Sequence, residues 1–396
     1  MRYASITERL AGLGSGKWDI HLRGRKLAAE GKPVIELTIG EPDIPPDDRL
    51  LDVCNAAMRA GRTRYSNGRG EPELLAALAA KYSQRSGRKV TPENVLVVTG
   101  TQTALYAAMM ALVGPGDKVL IPDPYYATYE AVVRAPGAEL VPVPLDPARG
   151  FHLTAAALEA AITPDCRVLL LNNPHNPSGA SLSRAEIAAI GEVCRRHDLW
   201  IVSDEVYEQL IFDGDFASPF DIAELAERTV VLSSLSKSHA APGFRSGWII
   251  GPAEFCNRLL PISETMLFGV QPFISDMATY ALTHDLPTAA LMRGAYAARA
   301  GIIARTLGQV PGLRPVTPES GMFVLVDVGG TGLDGAAFAA RLLDEQLVSV
   351  MPGASFGAVA RNFIRLSLTV PDEVLAEACT RIATLARNLT HAEVLS

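Results

Sequence analysis

From about Glu71 onward the chain alternates between two kinds of hydrophobic spacing. Short runs of Val, Ile and Leu at Val95–Thr99, Lys118–Pro122, Arg167–Leu171, Leu199–Ser203 and Thr229–Leu232 are bounded by Gly, Pro, Asp or Asn. Their length and continuity predict buried strands. Between them, Thr101–Val113, Thr128–Ala135, Thr154–Ile162 and Ser183–His197 carry apolar residues three and four positions apart, which predicts helices with one buried face. The GPGD cluster at Gly114–Asp117 is a stop-and-turn signal. Strand and helix in alternation predict an α/β fold, a mostly parallel sheet flanked by helices.

After about Leu291 the order changes. A helix is followed by strands near Phe323–Val328, Val348–Val350 and Phe363–Leu368, with helices at Gly335–Glu345 and Pro371–Asn388, as in a smaller α+β domain. No repeat, low-complexity tract or Ser/Gly linker separates the two parts, so close packing and a cleft between them are expected.

Composition narrows the function class. At roughly 150 residues per domain, 396 residues imply two or three domains and a large core. Acidic side chains outnumber basic ones, for a net charge of −7, and no basic block stands out, which argues against a nucleic-acid partner. The longest apolar run, Ala104–Val113, is about half of the ~20 residues needed to cross a bilayer. The first 20 residues contain no apolar stretch of the secretory kind, so a cytoplasmic location is expected. Cys54, Cys166, Cys194, Cys256 and Cys379 are far apart and lack CxxC spacing, which points to buried thiols rather than disulfides or zinc.

Four motifs carry candidate chemistry. Ser233–Gly247, SSLSKSHAAPGFRSG, follows a predicted strand and sets Lys237 among Ser234, Ser236, Gly243 and Arg245. Hydroxyls and an arginine fork suit a phosphate, although a polar surface loop would have a similar composition. Thr99-Gly100-Thr101-Gln102-Thr103 joins a strand to a helix, where free N–H groups attract an anion or Thr101 simply caps the helix. Asn172-Asn173-Pro174-His175-Asn176-Pro177-Ser178-Gly179 forms a sharp loop at a strand's carboxyl end, where α/β sheets bind ligands. Ser203-Asp204-Glu205-Val206-Tyr207 ends another strand with an acid that needs a partner, either a protonated ring nitrogen or an ordinary cap or ion pair.

Together these motifs resemble the fold type I pyridoxal 5′-phosphate enzymes, and among them the class I/II aminotransferases of the aspartate aminotransferase superfamily. The resemblance spans nearly the whole chain and includes Arg365 in Phe363-Ile364-Arg365-Leu366-Ser367. It implies a large domain built on a mostly parallel seven-stranded sheet, over residues 46–290. A smaller α+β domain would cover 291–396, and residues 1–45 would form an N-terminal arm and part of that smaller domain.

The resemblance also implies roles. Lys237 would attach the cofactor covalently and act as the catalytic base, with Asp204 bonding the pyridine nitrogen. Tyr207 and Asn176 would bind the ring oxygen, and Tyr125 would stack on the ring, with Tyr126 as an alternative. Ser234, Ser236, Arg245 and the N–H groups of Thr101 and Gln102 would hold the phosphate. Tyr65 would reach that phosphate from the other subunit of a homodimer. Arg365, with Asn176 and the backbone of Gly40, would clamp the substrate α-carboxylate. Ser246 and Pro242 depart from the family's usual apolar residue and Thr, without removing a ligand.

Substrate choice is a separate question. The lysine and arginine with which some relatives bind a second carboxylate are missing at Gln102 and in Glu264–Phe273, leaving Arg23 or Arg25 as substitutes. Met1-Arg2-Tyr3, Trp18-Asp19-Ile20-His21, Pro174–Leu182 and Leu235–His239 are most similar to the arginine:pyruvate aminotransferases. A guanidinium donor would want a carboxylate, for which Asp19, Glu41 and Asp43 are candidates, and His21 and His239 are further pocket candidates. The alternatives are a pyridoxal-phosphate β-lyase using the same residues, an aspartate- or aromatic-type aminotransferase, and the aminotransferase-like effector domain of a transcription regulator. No metal is called for.

Overall fold

The computed structural model describes residues 1–13 and 16–394. Its centre is a seven-stranded sheet of β1 (Val95–Val98), β2 (Lys118–Asp123), β3 (Glu139–Pro144), β4 (Cys166–Asn172), β5 (Trp200–Asp204), β6 (Thr229–Ser234) and β7 (Gly247–Ile250). The strands lie in the order β1-β7-β6-β5-β4-β2-β3. β7 is antiparallel to both neighbours, and every other pairing is parallel.

The apolar runs are continuous because both faces of the sheet are covered. On one face Val98, Val202 and Leu232 meet Ala104, Leu105 and Ala108 of the helix Thr101–Leu112. On the other, Val97, Val231 and Trp248 meet Leu74, Leu78 and Tyr82 of the helix Pro72–Ser86, while Leu169 and Ile201 meet Ile187 and Ile190 of Arg184–Arg196. Burying one such Leu or Ile is worth roughly 1.5–3 kcal/mol.

Two strands of this sheet escaped the periodicity reading. β3 carries Pro142 and Pro144 and is largely open to solvent, which an edge strand tolerates because its outer N–H groups pair with nothing. β7 has only four residues and directly follows the short helix and turn over residues 235–246.

A second, antiparallel sheet contains β8 (Arg314–Pro315), β9 (Phe323–Asp327), β10 (Met351–Pro352) and β11 (Phe363–Ser367), in the order β10-β11-β9-β8. The single strand expected at Val348–Val350 is divided. Val348–Ser349 pairs in parallel with Ile35–Glu36, and the chain then turns into β10. The amino-terminal segment is thereby stitched to the carboxyl-terminal part. Ile303, Phe338, Leu342 and Ile382, from three covering helices, are removed from water beneath it.

All five cysteines are buried and unpaired. Among the described residues no helix is long and apolar enough to cross a membrane.

Candidate active site

β4, β5 and β6 each end on a polar residue: Asn172, Asp204 and Ser234. The crevice beyond the carboxyl ends of parallel strands is where an open α/β sheet accepts ligands, and a cavity of about 470 Å³ lies there. Phe323 of β9 and Arg365 of β11 supply wall residues from the second sheet, with Gly40 and Glu41 beside them.

Asp204 is 4% exposed. Its Oδ2 accepts a 2.7 Å hydrogen bond from the Tyr129 hydroxyl, and its Oδ1 accepts one of 3.3 Å from the Val206 N–H. Both donors are neutral, so burial outweighs them and lifts the carboxyl to about 6. Such a group is suited to a cationic partner. The Asn172 side chain donates to the Asp204 carbonyl at 3.0 Å and accepts from the Asn176 N–H at 2.7 Å, tying the ends of β4 and β5 together.

Lys237 stands in the short helix Leu235–Ser238 that follows β6, and its Nζ donates to the Gly40 carbonyl. Burial lowers its ammonium from 10.5 to about 8, helped by Arg365 and Arg245 and opposed by Glu41 and Asp204.

One end of the cavity is arranged for an anion. Gly100 has φ +87°, and a Cβ there would stand 2.5 Å from the Arg245 Nη2, so only glycine lets the guanidinium come so close. A Cβ on Gly247 would lie 2.6 Å from the Gly100 Cα, which requires the second glycine. Arg245 donates to the carbonyls of Pro242 (2.9 Å) and Thr99 (3.2 Å). The Thr101 hydroxyl donates to the Ser234 Oγ at 3.0 Å, and Ser234 also accepts from the Ser236 N–H at 3.3 Å. These groups surround the start of the helix Thr101–Leu112, whose first N–H groups have no partner within the helix.

Arg365 is 2% exposed and lies between two rings, its guanidinium carbon 3.9 Å from the centre of Phe323 and 4.4 Å from that of Phe356. Nη1 donates to the Asn176 Oδ1 at 3.1 Å and Nη2 to the Thr38 carbonyl at 2.6 Å, while the buried Nε has no partner. None of these contacts is a carboxylate, and burial lowers the guanidinium to about 10. Asn176 in turn donates to the Tyr207 hydroxyl at 3.4 Å.

Of the site residues expected from the sequence, all but Tyr125 and Tyr65 line this cavity. Of the two candidate rings, Tyr125 sits 5.8 Å beneath the Lys17 ammonium and does not line the cavity, while Tyr126 lines it and meets Tyr129 edge to face. Neighbouring side chains on a turn diverge, and the motif alone does not say which faces inward. Tyr65 is 88% exposed and packs against Phe268 on the surface.

Among the proposed partners for a side chain, Asp43 is bound to Arg299 at 2.8 Å and to the Tyr296 hydroxyl at 3.2 Å. Asp19 is exposed outside the cavity, Arg23 is paired with Asp344, and Arg25 is exposed; Glu41 alone of these lines the cavity. His21 bonds Thr38 and His239 bonds Ser238 and Ala281, and neither lines it. Sequence reasoning missed Tyr129, Phe323 and Phe356. Their roles depend on contacts between distant elements, and no local motif marks them.

Residues 32–382 match the family described as aminotransferase class I and II. The chain is 46% identical over 389 residues to an arginine–pyruvate transaminase of Pseudomonas aeruginosa, covering 98% of this chain and 99% of the relative. It is 38% identical to an aspartate/prephenate aminotransferase of Cereibacter sphaeroides, over 93% of this chain and 95% of that one. Its fold superposes on the aspartate aminotransferase of Thermus thermophilus with maleate at a TM-score of 0.91 and 31% identity, covering 97% of this chain and 100% of the other.

Proposed function

The chain belongs to the class I and II aminotransferase family and is a pyridoxal 5′-phosphate-dependent transaminase, and from that premise we propose that the cavity is its active site, with the roles below. The bound cofactor supplies an electron-withdrawing ring that stabilises charge developing on the amino acid's α-carbon.

The residues present fit that group. Asp204, an acid held only by neutral donors, would bond the protonated ring nitrogen. The Thr101, Ser234, Ser236 and Arg245 cluster at the helix start, with the N–H groups of Thr101 and Gln102, would hold the phosphate. Tyr207 and Asn176 would bond the ring oxygen, Tyr126 would lie on the ring, and Lys237 would form the covalent link. With its ammonium lowered to about 8 by burial, Lys237 has a neutral fraction at physiological pH, as a base that takes and returns the substrate's α-proton must.

The observation that carries this reading is Arg365, a buried cation beside Lys237 with an unpartnered Nε and no acid in contact. It would receive the α-carboxylate of the donor or the 2-oxo acid, with Asn176 and Gly40 alongside.

We read the amino donor as arginine and the acceptor as pyruvate. The name of the Pseudomonas relative supports this, as does a cavity whose lining cations are Lys237, Arg245 and Arg365, each with another task. We also read the enzyme as a cytoplasmic homodimer, in which the exposed Tyr65 would reach the phosphate site of its partner. Light scattering tests the dimer. Mixing Tyr65→Phe chains with Lys237→Ala chains tests the sharing, since mixed dimers would recover activity at one site if Tyr65 matters across the boundary.

The deciding experiment is titration of the yellow holoenzyme with L-arginine, L-alanine or L-aspartate, followed by pyruvate. Loss of the visible band with arginine and its return with pyruvate is expected. Response to aspartate alone would overturn the arginine reading. Turnover without stoichiometric pyridoxamine phosphate would favour the lyase.

A further inference from the structure

Asp204 and Tyr207 reach the cavity from a turn whose other side carries Glu205 and Glu208, which the roles above leave unused. Glu205 is completely buried. Its Oε2 accepts a 2.9 Å bond from the Arg85 Nη1, and its Oε1 accepts from the Ser218 hydroxyl at 2.5 Å. Glu208 accepts from the same Nη1 at 2.7 Å and also from the Lys81 Nζ. The Arg85 Nε lies 2.9 Å from an Asp221 oxygen. A single guanidinium nitrogen therefore bridges the residues on either side of Val206–Tyr207.

Arg85 is itself held in place. It sits on the last turn of the helix Pro72–Ser86, with its guanidinium carbon 4.6 Å from the Tyr82 ring centre and 5.3 Å from that of Phe216. The turn's main chain is anchored at Glu205, whose N–H donates to the Leu232 carbonyl at 2.9 Å, and closes on itself from Glu208 to the Glu205 carbonyl at 3.0 Å. Asn172 holds the Asp204 carbonyl at 3.0 Å and the Leu210 N–H donates to the Tyr207 carbonyl at 2.8 Å, while side-chain bonds from Arg85 and Lys81 restrain the turn on the side away from the cavity.

We propose that Arg85 is a positioning residue: its bridge between Glu205 and Glu208 sets where the turn presents the Asp204 carboxylate and the Tyr207 hydroxyl to the cofactor. This rests on the reading of the cavity as the cofactor site. A counterion alone would need only to be near the carboxylates, whereas a positioning group must span both, and the observed geometry is the spanning one.

Charge and geometry can be separated. Two cations, Lys81 and Arg85, face three carboxylates, Glu205, Glu208 and Asp221. The double variant Arg85→Met/Glu205→Gln keeps the same formal balance but cannot bridge the turn, and Arg85→Lys keeps the charge and one bridging nitrogen but loses the second arm to Asp221. Each protein is stripped of cofactor and retitrated with pyridoxal phosphate. The readouts are the dissociation constant, the pH midpoint of the bound cofactor's visible absorbance and the melting temperature of the cofactor-free form.

Arg85→Met is expected to weaken cofactor binding by about tenfold, the scale of weakening one hydrogen bond to a charged group, and to shift the absorbance midpoint. The double variant is expected to regain thermal stability while keeping the weak binding and the shifted midpoint, and Arg85→Lys to fall between. Parental binding and midpoint in the double variant would overturn the proposal in favour of simple charge neutralisation. If Arg85→Met does not fold, the double variant decides. Arg245→Met is the control: if it too leaves binding unchanged, the cavity assignment fails, whereas if it weakens binding and the Arg85 variants do not, only the present proposal fails.

Discussion

The Arg365 guanidinium donates to the Asn176 side-chain oxygen at 3.1 Å, and through Asn176 it is connected to the Tyr207 hydroxyl. The proposed carboxylate fork and the proposed ring-binding pair are therefore one hydrogen-bonded unit, held on one side by β11 and on the other by the loop after β4. A carboxylate bound at Arg365 would thereby be coupled to the orientation of Asn176 and Tyr207.

Replacing Arg365 with Lys keeps the charge but loses the planar fork, and the slot between Phe323 and Phe356 suits a guanidinium better than an ammonium. The expected outcome is a fall in kcat/KM on the order of a hundredfold, the size of one to two charged hydrogen bonds, for amino donor and 2-oxo acid alike. Cofactor affinity should fall far less than kcat/KM, because Asp204 and the residues at the phosphate end are untouched. Single-turnover kinetics with each substrate provides the check, and unaltered kinetics would place the α-carboxylate elsewhere.

Asp204 makes a prediction about stability. Its carboxyl is near 6 in the folded protein and near 3.8 in an unperturbed chain. The folded state therefore binds more protons between those values, and cofactor-free stability falls as pH rises through the window. Above pH 6 the full penalty is present, on the order of 2–3 kcal/mol. Asp204→Asn should raise the melting temperature of the cofactor-free protein at pH 7, match the parent near pH 4, and lose most cofactor affinity and activity. A lower melting temperature at pH 7 would show that other contacts outweigh the burial of this charge.

Lys237 shifts the opposite way. Its ammonium falls from 10.5 to about 8 on folding, so the unfolded chain binds more protons between those values. Stability of the cofactor-free protein contributed by this group rises with pH across that window. Thermal melts of the parent and of Lys237→Met between pH 7 and 10.5 should converge as pH increases, with the variant more stable at the lower end. Parallel curves would count against a buried, depressed lysine.

Gly100→Ala combines an unfavourable φ of +87° with a Cβ driven into Arg245. A stability loss of about 1–2 kcal/mol is expected from the backbone alone, together with weaker cofactor binding that added inorganic phosphate no longer inhibits competitively. Equilibrium titration and denaturant melts measure the two effects separately.

Much of this protein was legible locally. Buried parallel strands read as unbroken apolar runs because both faces of the sheet are covered, and helices with one wet face read at their own period. The polar residues at the strand ends stood out because they interrupt those patterns, and the lysine, hydroxyl and arginine spacing around the end of β6 suited a phosphate as well as a polar surface loop until the other motifs joined it. Periodicity, however, records only how one element meets its surroundings, and not which element it meets. That Tyr126 rather than Tyr125 faces the cavity, that Tyr129 bonds Asp204 across 75 positions, and that Arg85 bridges Glu205 and Glu208 from a helix about 120 positions earlier depend on distances between packed elements. The residue types and their order were written in the chain, while the partners of the buried charges were decided only when packing removed water and left each charge to the groups within reach.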